Sequence, residues 1–206
     1  MAREDERAAR AMEQPIVGGL PVVPGILVAM SLTPELGVHM RGLADALLVH
    51  DFPGTTMGRA EREMIATAVS AGNDCFFCMD SHAAHAIAIL EREGRDAEIP
   101  AIELIKVDDT QALDARMRAL IQIAGVVRRD PRALTEGDVG AARDAGASDG
   151  DVQLAVLIAS GFSMYNRMVD GLRAMTPPTT GAYRERAGAI AEHGYSIPSV
   201  PAAATS

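Results

Sequence analysis

Two cysteines and a histidine lie at helical spacing near the middle of the chain. The stretch Cys75-Phe-Phe-Cys78-Met-Asp-Ser-His82 places these three side chains at positions i, i+3 and i+7. At about 100° per residue they fall within roughly 60° of one helix face, and His85 lies near the edge of that face. Two thiols beside an imidazole can exchange electrons and protons, so the pattern predicts thiol redox chemistry.

A carboxylate on the preceding predicted helix can complete this group. Cys75 directly follows Asn73-Asp74, so we expect it in the first helical turn, where backbone N–H groups favour a thiolate. The short corner at Gly72–Asp74 folds the preceding helix back, and the carboxylate of Glu63 then approaches His82. A carboxylate that fixes an imidazole tautomer and raises its basicity is what a proton relay to a thiol requires.

Helical periodicity covers nearly every segment between a charged start and a tail rich in small residues. Apolar residues recur three and four positions apart, and possible capping residues precede several of these runs. The pattern predicts helices over Glu35–Val49, Gly58–Ala71, Cys75–Glu93, Leu113–Val127, Thr135–Ala145 and Ser148–Leu172. Strand signals are nearly absent, so the βαβ context that accompanies a thioredoxin-type Cys-x-x-Cys is missing. The sequence therefore predicts an all-α fold.

Composition and charge narrow the classes of partner. Nineteen Lys and Arg residues stand against 28 Asp and Glu residues, which gives a formal net charge of −9, and no basic run stands out. We therefore expect neither nucleic acid nor a membrane surface as a partner. The first apolar stretch is broken by prolines and glycines, unlike a signal peptide or a spanning helix. With only two cysteines, the expectation is a cytoplasmic protein with a catalytic or metal-binding pair.

The spacing of the four candidate residues resembles that of a known family. Glu63-x11-Cys75-x2-Cys78-x3-His82 is similar to the signature of the alkylhydroperoxidase AhpD-like branch of the carboxymuconolactone decarboxylase superfamily. The sequence around the motif also resembles the subgroup called peroxidase-related enzymes. The resembling segments are Leu20–Gly25, Arg59–His82 and Phe162–Leu172, so the similarity spans about residues 18–178.

This resemblance implies an all-helical AhpD-like bundle at residues 18–178 that forms a homo-oligomer, a trimer or a hexamer. Residues 1–17 would then be a flexible lead-in, and residues 179–206 a C-terminal extension available as an oligomer arm. The implied reaction is hydroperoxide reduction without metal, haem or flavin. The implied partners are an organic hydroperoxide and a thiol or dithiol reductant, either a protein or a small molecule.

The resemblance also implies a role for each of the four residues. Cys78 would be the peroxidatic thiol that forms a sulfenic acid, and Cys75 would donate a proton and then resolve the intermediate as a disulfide. Glu63 and His82 would form the proton relay. The best-known family members carry a histidine immediately before the second cysteine, whereas this chain has Phe77, which cannot move protons. Whether His85 replaces that group is left open.

Other functions remain as alternatives at this point. The thiols could be two buried hydrophobic residues, or could bind zinc together with His82 and Glu63. The protein could instead be a lactone-processing decarboxylase like the superfamily's other branch, or a non-catalytic thiol redox sensor. Structural roles are expected for several other polar residues. Asp80 is predicted to be exposed, and Glu61 is predicted to be a solvated neighbour of Glu63, with pairing to an arginine as the alternative. Asn166, Arg167 and Asp170 are predicted to form a polar helix end or an intersubunit contact, with a role in a substrate pocket as the alternative.

Overall fold

The computed structural model describes residues 2–11 and 13–196, and its regular secondary structure is helical, with no β-strand in those ranges. Short 3-10 turns connect some of the α-helices. The described α-helices are α1 (Ala2–Ala11), α2 (Leu27–Met30), α3 (Pro34–Leu48), α4 (Arg59–Gly72), α5 (Phe76–Glu93), α6 (Ile99–Ile105), α7 (Ala115–Arg129), α8 (Glu136–Asp144), α9 (Asp149–Gly171) and α10 (Arg184–His193).

The all-α prediction is confirmed, and each of the six predicted helices is present with ends within two residues of the expected ones. Local capping explains this agreement. The hydroxyl of Thr33 accepts from the backbone N–H of Leu36 at the start of α3. Reciprocal capping boxes begin α8 and α9, the first of them between Thr135 and Asp138. The periodicity did not predict α1, α2, α6 or α10.

Helix α4 lies at the centre of the fold and packs against α5, α7 and α9. Its buried face carries Met64, Ile65 and Val69, which join one large apolar core. Helix α5 packs along α4, and α10 packs on the other side of α5. The two helices that bear the candidate site residues are therefore each held by at least two neighbours.

The predicted exposure of Asp80 was wrong, and for Glu61 the structure has the less favoured alternative, a pair with an arginine. Asp80 is buried, and its carboxylate oxygen lies 3.2 Å from the ammonium nitrogen of Lys106, which follows α6. Glu61 accepts from the backbone N–H of Gly58 and pairs with Arg116 at 2.6 Å. In both cases the partner comes from a distant segment, which helical spacing alone does not reveal.

The predicted chain divisions stay predictions. Helix α1 lies within the expected lead-in, and α10 lies within the expected C-terminal extension. Residues 197–206, the end of that extension, lie outside the described residues. The oligomer arm, the assembly and the cytoplasmic location are likewise untested. Within the described part of the chain, no helix combines the length and the hydropathy needed to span a bilayer.

Asp151 connects the start of α9 to the loop before α4. Its carboxylate accepts from Thr55 Oγ1 at 2.7 Å and from the backbone N–H groups of Thr56, Met57 and Ser148 at 2.7, 3.2 and 3.0 Å. Burial alone would raise the pKa of Asp151, but these hydrogen bonds outweigh it and lower the pKa.

Replacing this carboxylate should destabilise the fold. Asp151→Asn puts an N–H donor against backbone donors, so we expect a loss of about 2–3 kcal/mol in the free energy of unfolding, measured by urea denaturation. Asp149→Asn is the matched control on the same helical turn, because Asp149 is exposed and pairs only with Arg143. Equal losses in the two variants would contradict the role of Asp151.

Candidate active site

The corner between α4 and α5 determines where the two cysteines lie. The backbone N–H of Cys75 donates to the carbonyl of Ser70, and that of Asp74 donates to Ala71. Asp74 has a positive φ of 56°, so the corner is a Schellman motif with Asp74 in the left-handed position. The N–H of Cys75 donates to the end of α4, and α5 begins only at Phe76, so Cys75 is the N-cap of α5. The expected first-turn position for Cys75 was wrong.

Asn166 on α9 braces this corner. Its amide oxygen accepts from Asn73 at 2.9 Å, and its amide nitrogen donates to Ser70 Oγ at 3.0 Å. Asn166 is almost completely buried, whereas Asp170 on the same helix pairs with Arg10 at 3.1 Å. The residue predicted as part of a polar helix end therefore links α9 to the turn before Cys75.

The two sulfur atoms lie 3.0 Å apart, and both thiols are free and buried. Cys75 donates to Cys78, and this hydrogen bond, together with burial, raises the pKa of Cys75 well above its usual value. This direction runs against the thiolate expected at Cys75. Cys78 is the third residue of α5 and lies in its first turn.

Glu63 and His82 are in direct contact, as predicted. Nδ1 of His82 lies 2.7 Å from Oε2 of Glu63, and both side chains are buried. Burial would raise the pKa of Glu63, but the hydrogen bond from His82 and the neighbouring imidazoles lower it to about 2. An ionised carboxylate only accepts hydrogen bonds, which places the proton of His82 on Nδ1 and the lone pair on Nε2.

Tyr195 joins this pair from the far end of the described chain. Its hydroxyl donates to Oε1 of Glu63 at 2.7 Å and lies 2.9 Å from Nδ1 of His85. Burial and the charge of Glu63 raise the pKa of Tyr195 well above its usual value, whereas burial lowers that of His85. Both groups are therefore neutral at physiological pH, and the N–H of His85 donates to the phenol oxygen. Ser81 Oγ lies 3.5 Å from Nε2 of His85 at the other end of this chain of contacts.

Backbone contacts hold Tyr195 in place. The N–H groups of Tyr195 and Ser196 donate to the two carboxylate oxygens of Asp45 at 2.6 and 2.9 Å. Gly194, with φ of 80°, lies so close that an added Cβ would be 2.7 Å from Oδ1 of Asp45. Arg59 donates to two carbonyls at the end of α10, which secures the residues just before this segment. Asp45 and Arg59 thus fix the C-terminal segment against the site.

A cavity of about 60 Å³ reaches Cys78 but not Cys75. Its floor is polar, with Cys78, Ser81, His82, His85 and Tyr195. Apolar side chains from α2, α3, α9 and α10 form most of its wall. The lining residues also include Ile26, Leu27, Met30, Met40, Arg41, Ala44, Phe77, Phe162, Tyr165, Arg186 and Ile190. Of the two sulfurs, only that of Cys78 lines this route toward solvent.

Phe77, which stands where the family's additional histidine is found, packs at the edge of the same cavity. Its ring centroid is 5.6 Å from that of Tyr183. A Cβ on Gly25 would lie 2.1 Å from the ring, so this approach requires glycine, which also has a φ of 54°. The aromatic ring closes one side of the apolar wall without adding a proton carrier.

Three donors in the site lie close enough together to hold a metal ion. One ligand atom from each of Glu63, His82 and His85 lies within 4.8 Å of the others. This set differs from the zinc alternative considered from the sequence, since it contains His85 and neither cysteine. The hydrogen bonds to Tyr195 and between Glu63 and His82 already satisfy these donors, so the arrangement does not require a metal.

Comparison with known proteins places the site in a family. Residues 34–107, from the start of α3 to just beyond α6, match the model of the carboxymuconolactone decarboxylase family. Over these residues the chain is similar to the carboxymuconolactone decarboxylase family. This segment contains Glu63, both cysteines and His82, and the predicted resemblance is thereby confirmed. No protein with a curated description matches the chain.

Two solved structures share this carboxymuconolactone decarboxylase-like fold. One is an uncharacterized peroxidase-related protein from Silicibacter sp. TM1040, with a TM-score of 0.65 and 24% identity over 84% of this chain and 93% of that one. The other, described as an alkylhydroperoxidase AhpD core and an uncharacterized peroxidase-related protein, comes from Ralstonia eutropha JMP134. It has a TM-score of 0.62 and 27% identity over 82% of this chain and 85% of that one. The chain is therefore an AhpD-like helical protein.

Sequence reasoning included Glu63, Cys75, Cys78 and His82 but missed Tyr195. The helical spacing that found the first four cannot find a residue 113 positions beyond His82 in the segment after the last helix. The signal for it in the sequence was Tyr195 itself, an aromatic residue in a segment whose composition otherwise predicted a C-terminal tail.

The buried carboxylate predicts a specific acid sensitivity. The folded pKa of Glu63 is lowered from 4.5 to about 2, so its ionisation stabilises the fold above the unfolded pKa. That contribution is lost as the pH falls from about 4.5 toward 2. Glu63→Gln should therefore flatten the decline in unfolding free energy over this window, measured by denaturation at stepped pH. The same slope in wild type and variant would show that the carboxylate is not held ionised.

Proposed function

We propose that this protein is a thiol-dependent peroxidase that reduces an organic hydroperoxide with Cys75 and Cys78. The observation that carries the proposal is a pair of free sulfurs 3.0 Å apart, one of which lines a cavity beside a carboxylate-anchored imidazole. The AhpD-like fold and the peroxidase-related neighbours support the same reaction class.

The first step oxidises Cys78. Nε2 of His82 accepts the thiol proton, and the thiolate attacks the terminal oxygen of the hydroperoxide. An S–O bond forms as the O–O bond breaks, and the sulfur loses two electrons to the peroxide. The leaving alkoxide takes the proton from His82 and departs as an alcohol, so Cys78 becomes a sulfenic acid. The ionised Glu63 stabilises the transient imidazolium.

The second step forms the disulfide. The sulfur of Cys75 attacks that of Cys78, the S–O bond breaks, and the hydroxyl leaves as water with the proton of Cys75. A spacing of 3.0 Å requires only a small movement to reach bonding distance. An external thiol or dithiol then reduces the disulfide by exchange, which returns two electrons and two protons.

The positions of the two cysteines support different roles for them in this proposal. Cys75 lies fully buried and keeps its proton, because its hydrogen bond to Cys78 and its burial raise its pKa. Cys78 accepts that hydrogen bond and lines the cavity. The peroxide therefore reaches Cys78 first, and Cys75 acts from behind it.

The match to the carboxymuconolactone decarboxylase model leaves a second reaction to be tested, the decarboxylation of a lactone. A lactone-processing decarboxylase of the other branch would not depend on a cysteine pair, so turnover of carboxylated lactones by a protein lacking both thiols would favour it. A redox sensor would be oxidised once by peroxide and would show no turnover with any thiol reductant.

The two cysteine substitutions should give different products. Cys78→Ser should abolish hydroperoxide consumption, because it removes the thiol that attacks. Cys75→Ser should retain one oxidation event and leave an unresolved sulfenic acid on Cys78. Trapping with dimedone, followed by mass spectrometry of the peptide that spans residues 75–78, distinguishes these outcomes. Full turnover in Cys78→Ser would refute the proposal.

Tyr195 is a positioning residue in this scheme, since it acts through Glu63. Tyr195→Phe removes the donor to Oε1 of Glu63 while it preserves the ring, so we expect the oxidation rate of Cys78 to fall by about tenfold or more. KM for the hydroperoxide should change little, because the ring still lines the cavity. A rise in KM at unchanged kcat would instead mean that Tyr195 only shapes the binding cavity.

A further inference from the structure

Two arginines from opposite ends of the fold line the cavity above Cys78. Arg41 comes from α3 and is partly buried, whereas Arg186 comes from α10 and is exposed. The mechanism proposed above uses neither of them. All other lining side chains except the polar floor are apolar, so these guanidinium groups provide positive charge at the solvent side of an apolar wall.

Among the described residues, no carboxylate lies within ion-pair distance of Arg41 or Arg186. Arg41 donates to the sulfur of Met30 at 3.4 Å, which is a weak acceptor. Partial desolvation where the Arg186 guanidinium lines the cavity lowers its pKa, and so does the nearby charge of Arg41. Two like charges are thus held close together beside the cavity.

The size of the cavity indicates which part of a ligand would meet these arginines. A space of about 60 Å³ holds a few water molecules, which suits the peroxide group and the carbons next to it. The rest of a larger molecule would remain at the entrance, where the guanidinium groups lie. Paired guanidinium groups recognise carboxylates through charge-assisted hydrogen bonds.

We infer that this cavity binds an organic ligand with a carboxylate, and that this ligand is the hydroperoxide substrate. Arg41 and Arg186 bind the carboxylate, the apolar wall contacts the carbon skeleton, and the hydroperoxide group lies at Cys78. The identification of the ligand as substrate rests on the proposed peroxidase function, whereas its recognition by the two arginines does not. A carboxylated thiol reductant is the other source of the same chemistry.

Para-substituted cumene hydroperoxides test this inference. The para-carboxylate and the para-carboxamide have nearly the same shape and differ in charge. We expect wild-type protein to oxidise Cys78 about tenfold faster with the carboxylate, and added salt should reduce this ratio. Arg41→Gln and Arg186→Gln should each lower the ratio, and the double variant should bring it close to one. Rates with the carboxamide should fall less than rates with the carboxylate in each of these variants.

Arg132→Gln is the matched control, because it removes the same charge from an exposed side chain outside the cavity. A carboxylate-to-carboxamide ratio near one in wild type would overturn the inference. So would an equal loss with both compounds in the arginine variants. The reductive half-reaction is measured separately with 3-mercaptopropionate and its methyl ester. A charge preference confined to that half-reaction would assign the arginines to the reductant and overturn the substrate claim.

Binding without turnover separates this inference from the proposed function. The alcohol product of the para-carboxylate is titrated calorimetrically into the Cys75→Ser/Cys78→Ser protein, with and without the two arginine substitutions. Arginine-dependent binding of this alcohol, together with failure of the wild-type protein to consume any hydroperoxide, would refute the peroxidase and preserve the carboxylate site. Peroxide turnover without such binding would support the peroxidase and refute the carboxylate site.

Discussion

The buried, ionised carboxylate of Glu63 is the constraint on which the site depends. An ionised carboxylate inside a protein costs several kcal/mol unless donors surround it. Here His82 donates to one oxygen and Tyr195 to the other, so α4, α5 and the segment after α10 must all be in place. Asp45, which is also buried, accepts two backbone N–H groups of that segment in the same way. The ionised state of Glu63 therefore depends on contacts between three parts of the chain.

Backbone hydrogen bonds at the corner between α4 and α5 also place the two sulfurs in different surroundings. Because the N–H of Cys75 completes the end of α4, this residue caps α5 and points its sulfur inward. Cys78, one turn later, lies in the first turn of α5 and lines the cavity. A corner built from a Schellman motif thus creates one protected thiol and one reachable thiol from two residues that look equivalent in the sequence. Phe77 lies between them and adds apolar surface, which suits a carbon skeleton next to the peroxide.

Interactions between residues close in sequence made most of the helices and part of the site predictable. Helices with their own caps and apolar stripes were found with ends within two residues, and the contact between Glu63 and His82 followed from a tight corner between two helices. Several of the failures involve partners that are distant in sequence, such as Lys106, which pairs with the buried Asp80. The failure at Cys75 is local, because the carbonyl of Ser70 accepts its N–H and ends α4 there. Tyr195 and Arg186 enter the site through packing of α10 on α5, which no spacing within the motif encodes.

The central claim is that Glu63 fixes the proton of His82 on Nδ1 and leaves Nε2 free to accept the proton of Cys78. Nitrogen-15 NMR of protein labelled at histidine reports directly which ring nitrogen carries the proton. The account predicts the Nδ1–H tautomer for His82 at neutral pH in the reduced protein, and a loss of this preference in Glu63→Gln. A His82 ring protonated on Nε2 and unprotonated on Nδ1 would contradict the account, because it could neither donate to Glu63 nor accept from the thiol.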